Sequence, residues 1–214
     1  MKKSNIILPL LFISAGLVII ATISYFSINK YVNISKSNVK QPVIDSGEEM
    51  KVFFNQPSAT PKETSIKIYK SKRILELYGD GKIMGRFNIG LGRDPEGSKV
   101  KEGDNKTPEG NYYICTKNNS TKYYLFMGIS YPNKEDAKMG IDKGIIDKAS
   151  YESIVKAINN KQQPPWNTAL GGAVGIHGGG NKYDWTYGCI AMDNSDLKVI
   201  RQYTPINTLV NIYK

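Results

Sequence analysis

His177 and Cys189 are the residues whose types and spacing can do chemistry. His177 is the only histidine of the 214-residue chain and Cys189 is one of two cysteines. A glycine-rich turn separates them in the stretch 175–194, GIHGGGNKYDWTYGCIAMDN. A thiol beside an imidazole or a helix N-terminus loses its proton more readily and becomes a nucleophile. Both partners are available here, so the pair reads as a catalytic dyad in which His177 takes or holds the Cys189 proton. Attack on a carbonyl also needs donors for the developing oxyanion, and the backbone N–H groups of Gly188 and Cys189 are the candidates, in a role worth about 3 kcal/mol. Taken singly, a histidine at a strand end is often only a hydrogen-bonded structural residue, and a lone cysteine is most often a small buried hydrophobe. Their occurrence at the two ends of one glycine-rich turn favours the catalytic reading. One histidine and two cysteines fall short of a closed zinc site, and no cofactor is implied.

The flanking elements must deliver these two side chains to one place. An apolar strand over 169–176 ends at His177 and leaves the imidazole at the rim of a sheet. Gly178, Gly179 and Gly180 then let the backbone turn closely past it. After Cys189 come Asp193, Asn194 and Ser195, all good N-cap residues, before the helical spacing of Leu197, Ile200 and Arg201. Cys189 is therefore expected between a tight turn and a helix start. Asp184, Trp185, Thr186 and Tyr187, between the two ends, are candidates to line the cleft, with Asp184 a side-chain candidate for orienting His177.

The HGGG start, the core Thr186-Tyr187-Gly188-Cys189-Ile190 and the helix that follows resemble the L,D-transpeptidase (YkuD) family of peptidoglycan cross-linking enzymes. Most members have Ser or Thr, often His, then Gly-Cys, an apolar residue and Arg. Here Tyr187 precedes the glycine and Ala191 stands in place of the arginine, wording closer to the YafK-like branch, in which hydrolysis accompanies transfer as a plausible outcome. The run from Leu75 through LGRDP and GDNKTPEGNYYI is similar to the N-terminal half of the same domain, so the resemblance covers most of 64–214. It implies a mainly β, sandwich- or barrel-like catalytic domain with one or two short helices. It also implies that the carbonyl of Gly178 or Gly179 orients His177, that the donor is a tetrapeptide stem cut after its third residue, and that the acyl group rests on Cys189 as a thioester. The sortases also combine an anchor, a β-rich domain and the order His, Cys, Arg, with Arg201 available, but their His and Cys normally lie farther apart. Papain-like and NlpC-type peptidases have Cys before His. A catalytically silent wall-binding protein would keep the fold without an activated thiol.

The rest of the chain bounds where such an enzyme works. Lys2 and Lys3 precede an apolar run from Ile6 to Phe26, which at ~1.5 Å per residue spans about 31 Å, the thickness of a bilayer core. Residues 1–30 are thus expected to be an uncleaved signal-anchor with the lysines in the cytoplasm, the alternative being a cleaved signal peptide. Either way the remainder is exported to the cell envelope. Residues 31–63, rich in Asn, Ser, Lys, Gln and Pro, read as a stalk, with the apolar patch 50–54 an added strand or a docking segment. The first 30 residues hold three lysines and no acid, leaving 26 basic and 19 acidic side chains, +7, on the rest. A basic exported surface suits carboxylate-bearing stem peptides, anionic wall polymers, a wall-attached protein or lipid headgroups, and no nucleic-acid-binding motif is present.

Residues 64–214 suffice for one core. Alternating strands are expected from Ile66, from Ile74 and over 83–89, then over 112–116 and 123–129, with a last one over 208–213. The long glycine-rich loop 90–110 is functional or mobile by its length. Cys115 reads as a buried structural thiol, since a disulfide with Cys189 would silence the nucleophile. Tyr151, Ile154, Val155 and Ile158 mark a helix capped by Ser150, and 196–203 marks another. Tyr131 and Trp166 are read as core cover more than cleft wall.

Overall fold

The computed structural model describes residues 51–119 and 122–214. The expected anchor over 1–30 and the stalk up to residue 50 lie outside the described residues, among which no helix is long and apolar enough to cross a membrane. The described strands are β1 (Phe53–Phe54), β2 (Thr64–Tyr69), β3 (Ile74–Gly79), β4 (Lys82–Asn88), β5 (Gly110–Asn118), β6 (Phe126–Ile129), β7 (Gly175–His177), β8 (Ile190–Ala191) and β9 (Leu209–Tyr213). They form one sheet in the order β1-β4-β3-β2-β9-β5-β6-β7-β8. Within the patch, Phe53–Phe54 form an added strand, with Phe53 opposite Arg86 and Phe54 opposite Gly85.

Alternation sets which face each strand buries. In β2, Ile66 and Ile68 are fully buried, and the neighbours they are paired with, Leu77 and Leu75, are buried too. β9 runs parallel to β2 and adds Val210 and Ile212 to the same core. Two register shifts, at Leu77/Tyr78 and between Ile114 and Thr116, bend the sheet. Cys115 is the residue left out of the ladder at the second shift, and its thiol donates to the Gly128 carbonyl at 3.4 Å. Both cysteines are free.

Among the described residues there are three α-helices, one more than the residue pattern suggested for them. The additional one, α1 (Lys134–Asp142), has little apolar periodicity and is started by a capping box between Asn133 and Asp136. In α2 (Lys148–Asn159) the cap is Asp147, whose carboxylate accepts from Ser150 N at 2.8 Å, so Ser150 lies inside the helix. These two helices bury Ala137, Ile146, Ile154 and Leu170 in a small cluster of their own. α3 (Asn194–Tyr203) packs Leu197, Ile200 and Tyr203 onto the main core.

The loop from Gly90 to Glu109 contains no strand of the named sheet, yet two interior lysines fix it. Lys70, 2% exposed, donates to Thr107 O at 2.9 Å and pairs with Glu109 at 2.8 Å. Lys99 pairs with Asp104 at 2.9 Å, both side chains nearly enclosed, and Asp104 also accepts from the backbone of Val100, Lys101 and Lys106. Burial opposes ionisation of Asp104, but the Lys99 ammonium and these N–H donors outweigh it and hold the carboxyl below its ordinary value. Asp104→Ala leaves a buried ammonium unpaired and should cost about 3–5 kcal/mol of stability, read from the urea midpoint. A loss under about 1 kcal/mol would show that water already reaches the pair.

Candidate active site

β7 and β8 run side by side in parallel, with Ile176 opposite Ile190 and His177 opposite Ala191. Ile176 and Ile190 are fully buried in the core. Since side chains alternate along a strand, His177 and the residue preceding Ile190, which is Cys189, share the other face of this two-strand unit, diagonally offset. The pairing of β7 with β8 thus brings together the two ends of the glycine-rich turn.

The imidazole is held from three sides. Its Nδ1 lies 2.6 Å from the Gly178 carbonyl oxygen. A carbonyl only accepts, so Nδ1 carries the proton and Nε2 keeps a free lone pair. The Tyr123 ring lies against it at 4.6 Å, and the Trp185 ring meets it edge-on at 5.5 Å. Trp185 is itself fixed by donating from Nε1 to Gly180 O at 3.1 Å. His177 is 3% exposed, and burial lowers its pKa below 6.5, the Gly178 contact opposing in part. At neutral pH the imidazole is an uncharged base.

Asp184 does not orient His177. Its carboxylate accepts from Arg73, at 2.7 Å from Nη2, and from Leu91 N at 2.9 Å, tying the nucleophile loop to the start of β3. The sequence signal was an acid close to the dyad in the chain; the fold turns that acid toward a cation 111 residues away.

The loop before the nucleophile is closed by Thr186. Its hydroxyl donates to Cys189 O at 2.7 Å and accepts from Gly188 N at 3.1 Å. The Gly188 N–H, a candidate oxyanion donor by sequence, is therefore already engaged, whereas no hydrogen bond of the Cys189 N–H occurs among the described residues outside the strand ladder. Gly188 has φ 131°, and a Cβ there would stand 2.7 Å from Lys106 O, so only glycine fits this turn. Tyr187 is 68% exposed and lies at the mouth of the site.

Cys189 differs from its expected state. β8 intervenes between it and α3, which begins at Asn194, so no helix N-terminus faces the thiol. Asp193 occupies the N-cap position without a side-chain bond, and Asn194 accepts from Gly179 N at 3.0 Å, fastening the turn after His177. Burial pushes the thiol up to about 11, against the opposing pull of the Gly175 N–H and Lys99. The thiol donates to the Ala173 carbonyl at 3.6 Å, and no hydrogen bond joins it to His177 among the described residues. Ala173 sits in the left-handed region at φ 51° and ends an irregular approach to β7, which is shorter than the expected strand over 169–176. Cys115 is raised further, to about 12, by burial. The resting pair is thus a neutral thiol beside a neutral imidazole.

Tyr131 is fully buried, with its hydroxyl donating to Leu170 O at 3.0 Å, whereas Trp166 is part-exposed and meets Phe126 edge-on. Arg201 binds the carbonyl of Asn118 and the side chain of Asn119. The residues that sequence reasoning missed, Tyr123, Arg73, Asn194 and Ala173, act through contacts distant along the chain or through backbone conformation; only Asn194 carried a signal, as an N-cap candidate.

The sequence model of the L,D-transpeptidase catalytic domain (YkuD) matches residues 63–212. The chain belongs to that family. Among solved structures, this member is similar to the L,D-transpeptidase from Xylanimonas cellulosilytica, at 14% identity and TM-score 0.42 over 75% of this chain and 65% of that one. It is similar also to the helical cell shape determining protein Pgp2 from Campylobacter jejuni, at 24% identity and TM-score 0.49 over 71% of this chain and 48% of that one. An L,D-transpeptidase from Mycobacterium smegmatis matches at 8% identity and TM-score 0.43 over 71% and 59%. The chain spans between about half and two-thirds of the length of these structures. No curated protein matches it.

With both groups neutral, the thiolate has to be made by the base or by the medium. His177→Ala should slow iodoacetamide alkylation of Cys189 at least tenfold at pH 7.5. The gap should narrow at pH 10.5, where hydroxide forms the thiolate directly as the medium nears the thiol's value of about 11. Cys115 should label more slowly than Cys189 at pH 7.5 in the folded wild type. Equal effects of the substitution at the two pH values would remove His177 from thiol activation.

Proposed function

We propose that this protein is a cysteine-dependent acyltransferase acting on stem peptides of peptidoglycan at the extracytoplasmic side of the cytoplasmic membrane. The observation that carries the reading is the fixed tautomer of His177: Nδ1–H on Gly178 O, with Nε2 unprotonated on the face it shares with Cys189. Membership of the L,D-transpeptidase family supplies the substrate class.

The steps follow from the two neutral groups. As Cys189 Sγ bonds to the peptide carbonyl carbon, its proton passes to Nε2 and the carbonyl electron pair moves onto oxygen, which the Cys189 N–H receives. The tetrahedral adduct collapses, the C–N bond breaks, and the imidazolium protonates the departing amine. The thioester remains on Cys189. An amine of a second stem or of a protein then attacks, giving its proton to Nε2 and releasing Cys189 as the thiol.

Hydrolysis is the second reading, and Ala191 favours it. Fully buried between β7 and the Gly90 bridge, it brings no cation to the thioester, so a water molecule meets fewer competitors than in a site built around an arginine there.

Both readings require the same acyl-enzyme, which the full chain should form on a tetrapeptide stem donor, detected by mass as a Cys189 adduct, and which Cys189→Ala abolishes. Free tripeptide without acceptor marks hydrolysis, and dimers with excess amine acceptor mark transfer. Because burial lowers the His177 pKa, the base stays active into mild acid, and the rate should fall to half only below pH 6.5. An acid limb centred above pH 7 would mean that His177 is not the base.

A further inference from the structure

Four arginines occur in the chain, and three are consumed by the fold. Arg73 pairs with Asp184, Arg86 with Glu76, and Arg201 binds Asn118 and Asn119. Arg93 differs. Its backbone N–H donates to Thr186 O at 3.0 Å, and the adjacent Gly92 bridges Thr186, so the segment lies directly along the nucleophile loop. Gly92 and Gly188 approach so closely that a Cβ on Gly92 would stand 3.2 Å from Gly188 Cα.

The Arg93 side chain is held without being neutralised. Its Nε donates to Trp185 O at 3.1 Å, and its guanidinium carbon lies 4.5 Å from the centre of the Tyr187 ring. These contacts fix the plane of the group and leave the two terminal nitrogens without a hydrogen bond or carboxylate partner among the described residues. The acid that follows it in the chain, Asp94, pairs with Lys106, and Asp184 pairs with Arg73. An exposed guanidinium with a fixed plane and a free outer edge is the geometry that accepts a carboxylate bidentately. Its two anchors connect it to both catalytic residues, since Trp185 packs on His177 and Tyr187 stands two residues before Cys189.

We propose that Arg93, stacked on Tyr187, is the anion-binding subsite at the mouth of the Cys189 cleft and selects peptides through a carboxylate. The ligand class rests on the proposed function, in which the bound peptide is a carboxylate-bearing stem. Lys122, over the Tyr123 ring at 5.1 Å, adds positive field at the same mouth but no fixed fork.

The test uses the Cys189→Ala chain, so that binding is read without turnover. A stem tetrapeptide and versions amidated at one carboxylate at a time are titrated by calorimetry. One amidation should weaken binding about tenfold, and that amidation identifies the carboxylate. In Arg93→Ala the free acid and that amide should bind alike, and Arg93→Lys should recover only part of the difference because an ammonium is not a planar fork. Parallel titrations at 50 and 500 mM salt separate the fork from the general field, since attraction to Lys122 weakens with salt in both backgrounds. Failure of the parent to bind or to discriminate, or undiminished discrimination in Arg93→Ala, overturns the subsite. Turnover is measured separately with Cys189 intact: a peptide that binds through Arg93 yet never acylates Cys189 sinks the acyltransferase reading and leaves the subsite standing.

Discussion

The site depends on the pairing of Ala191 with backbone on both sides of it. Across one edge Ala191 stands opposite His177 in the β7–β8 register, and across the other it exchanges both backbone hydrogen bonds with Gly90, at 2.8 and 2.9 Å. A two-residue strand has little stability of its own, so these ladder bonds and the fully buried side chains of Ile190, Ala191 and Met192 hold it. Through this one contact the imidazole, the nucleophile loop and the 90–110 segment acquire fixed relative positions. The two interior lysines then secure the far end of that segment. A small side chain at 191 is a packing requirement of this arrangement, and so is the absence of one at Gly188.

Desolvation decides the chemistry that the arrangement performs. Burial lowers the basicity of His177 and raises the pKa of Cys189, so both shifts favour neutral groups and neither favours a resting thiolate–imidazolium pair. The opposing influences, a Gly178 carbonyl on Nδ1 and the Gly175 N–H and Lys99 near sulfur, do not reverse the balance. In the proposed reaction, charge is therefore created only as sulfur begins to bond to carbon, when the oxyanion and the imidazolium appear together and stabilise each other. A thiol kept protonated reacts slowly with adventitious oxidants and alkylators at neutral pH. Aromatic packing takes over the part that a carboxylate plays in many dyads. Tyr123 and Trp185 restrict the ring physically while the backbone selects the tautomer.

Residue type and period made the candidate dyad and the strands legible, because both signals are local. A histidine and a cysteine at the ends of one glycine-rich turn announce themselves, and alternation at Ile66 and Ile68 or at Val210 and Ile212 reads directly as a half-buried strand. Boundaries were less legible. The segment 169–174 is apolar enough for a strand, but Gly171 and Ala173 adopt left-handed conformations there and only Gly175–His177 pairs. α1 escaped notice because its buried positions are Ala137, Gly140 and the capping Asp136, which carry almost no apolar signal. The roles of Asp184 and Gly188 were misjudged for one reason. Proximity in sequence says which groups are available, whereas their partners, Arg73 and Thr186, are set by how the loop folds back. The direction of the Cys189 shift was hidden likewise, since enclosure is a property of the assembled walls and the helix that might have lowered it starts beyond an intervening strand.

Packing and charge are divided between two neighbouring segments of this chain. At 191 the side chain is fully enclosed and its backbone is paired on both edges, so a charged side chain there would have to leave water, which costs several kcal/mol unless it is paired. The neighbouring segment carries its cation where water can solvate it. Gly90 pairs with Ala191, Gly92 bridges Thr186, and Arg93 follows at the solvent edge with its guanidinium against Tyr187. The buried alanine lets the backbone of β7 and of the Gly90 segment close on it, and the exposed Tyr187 ring supports the Arg93 guanidinium. In the proposed subsite that cation acts on what enters the cleft and not on the bond being broken.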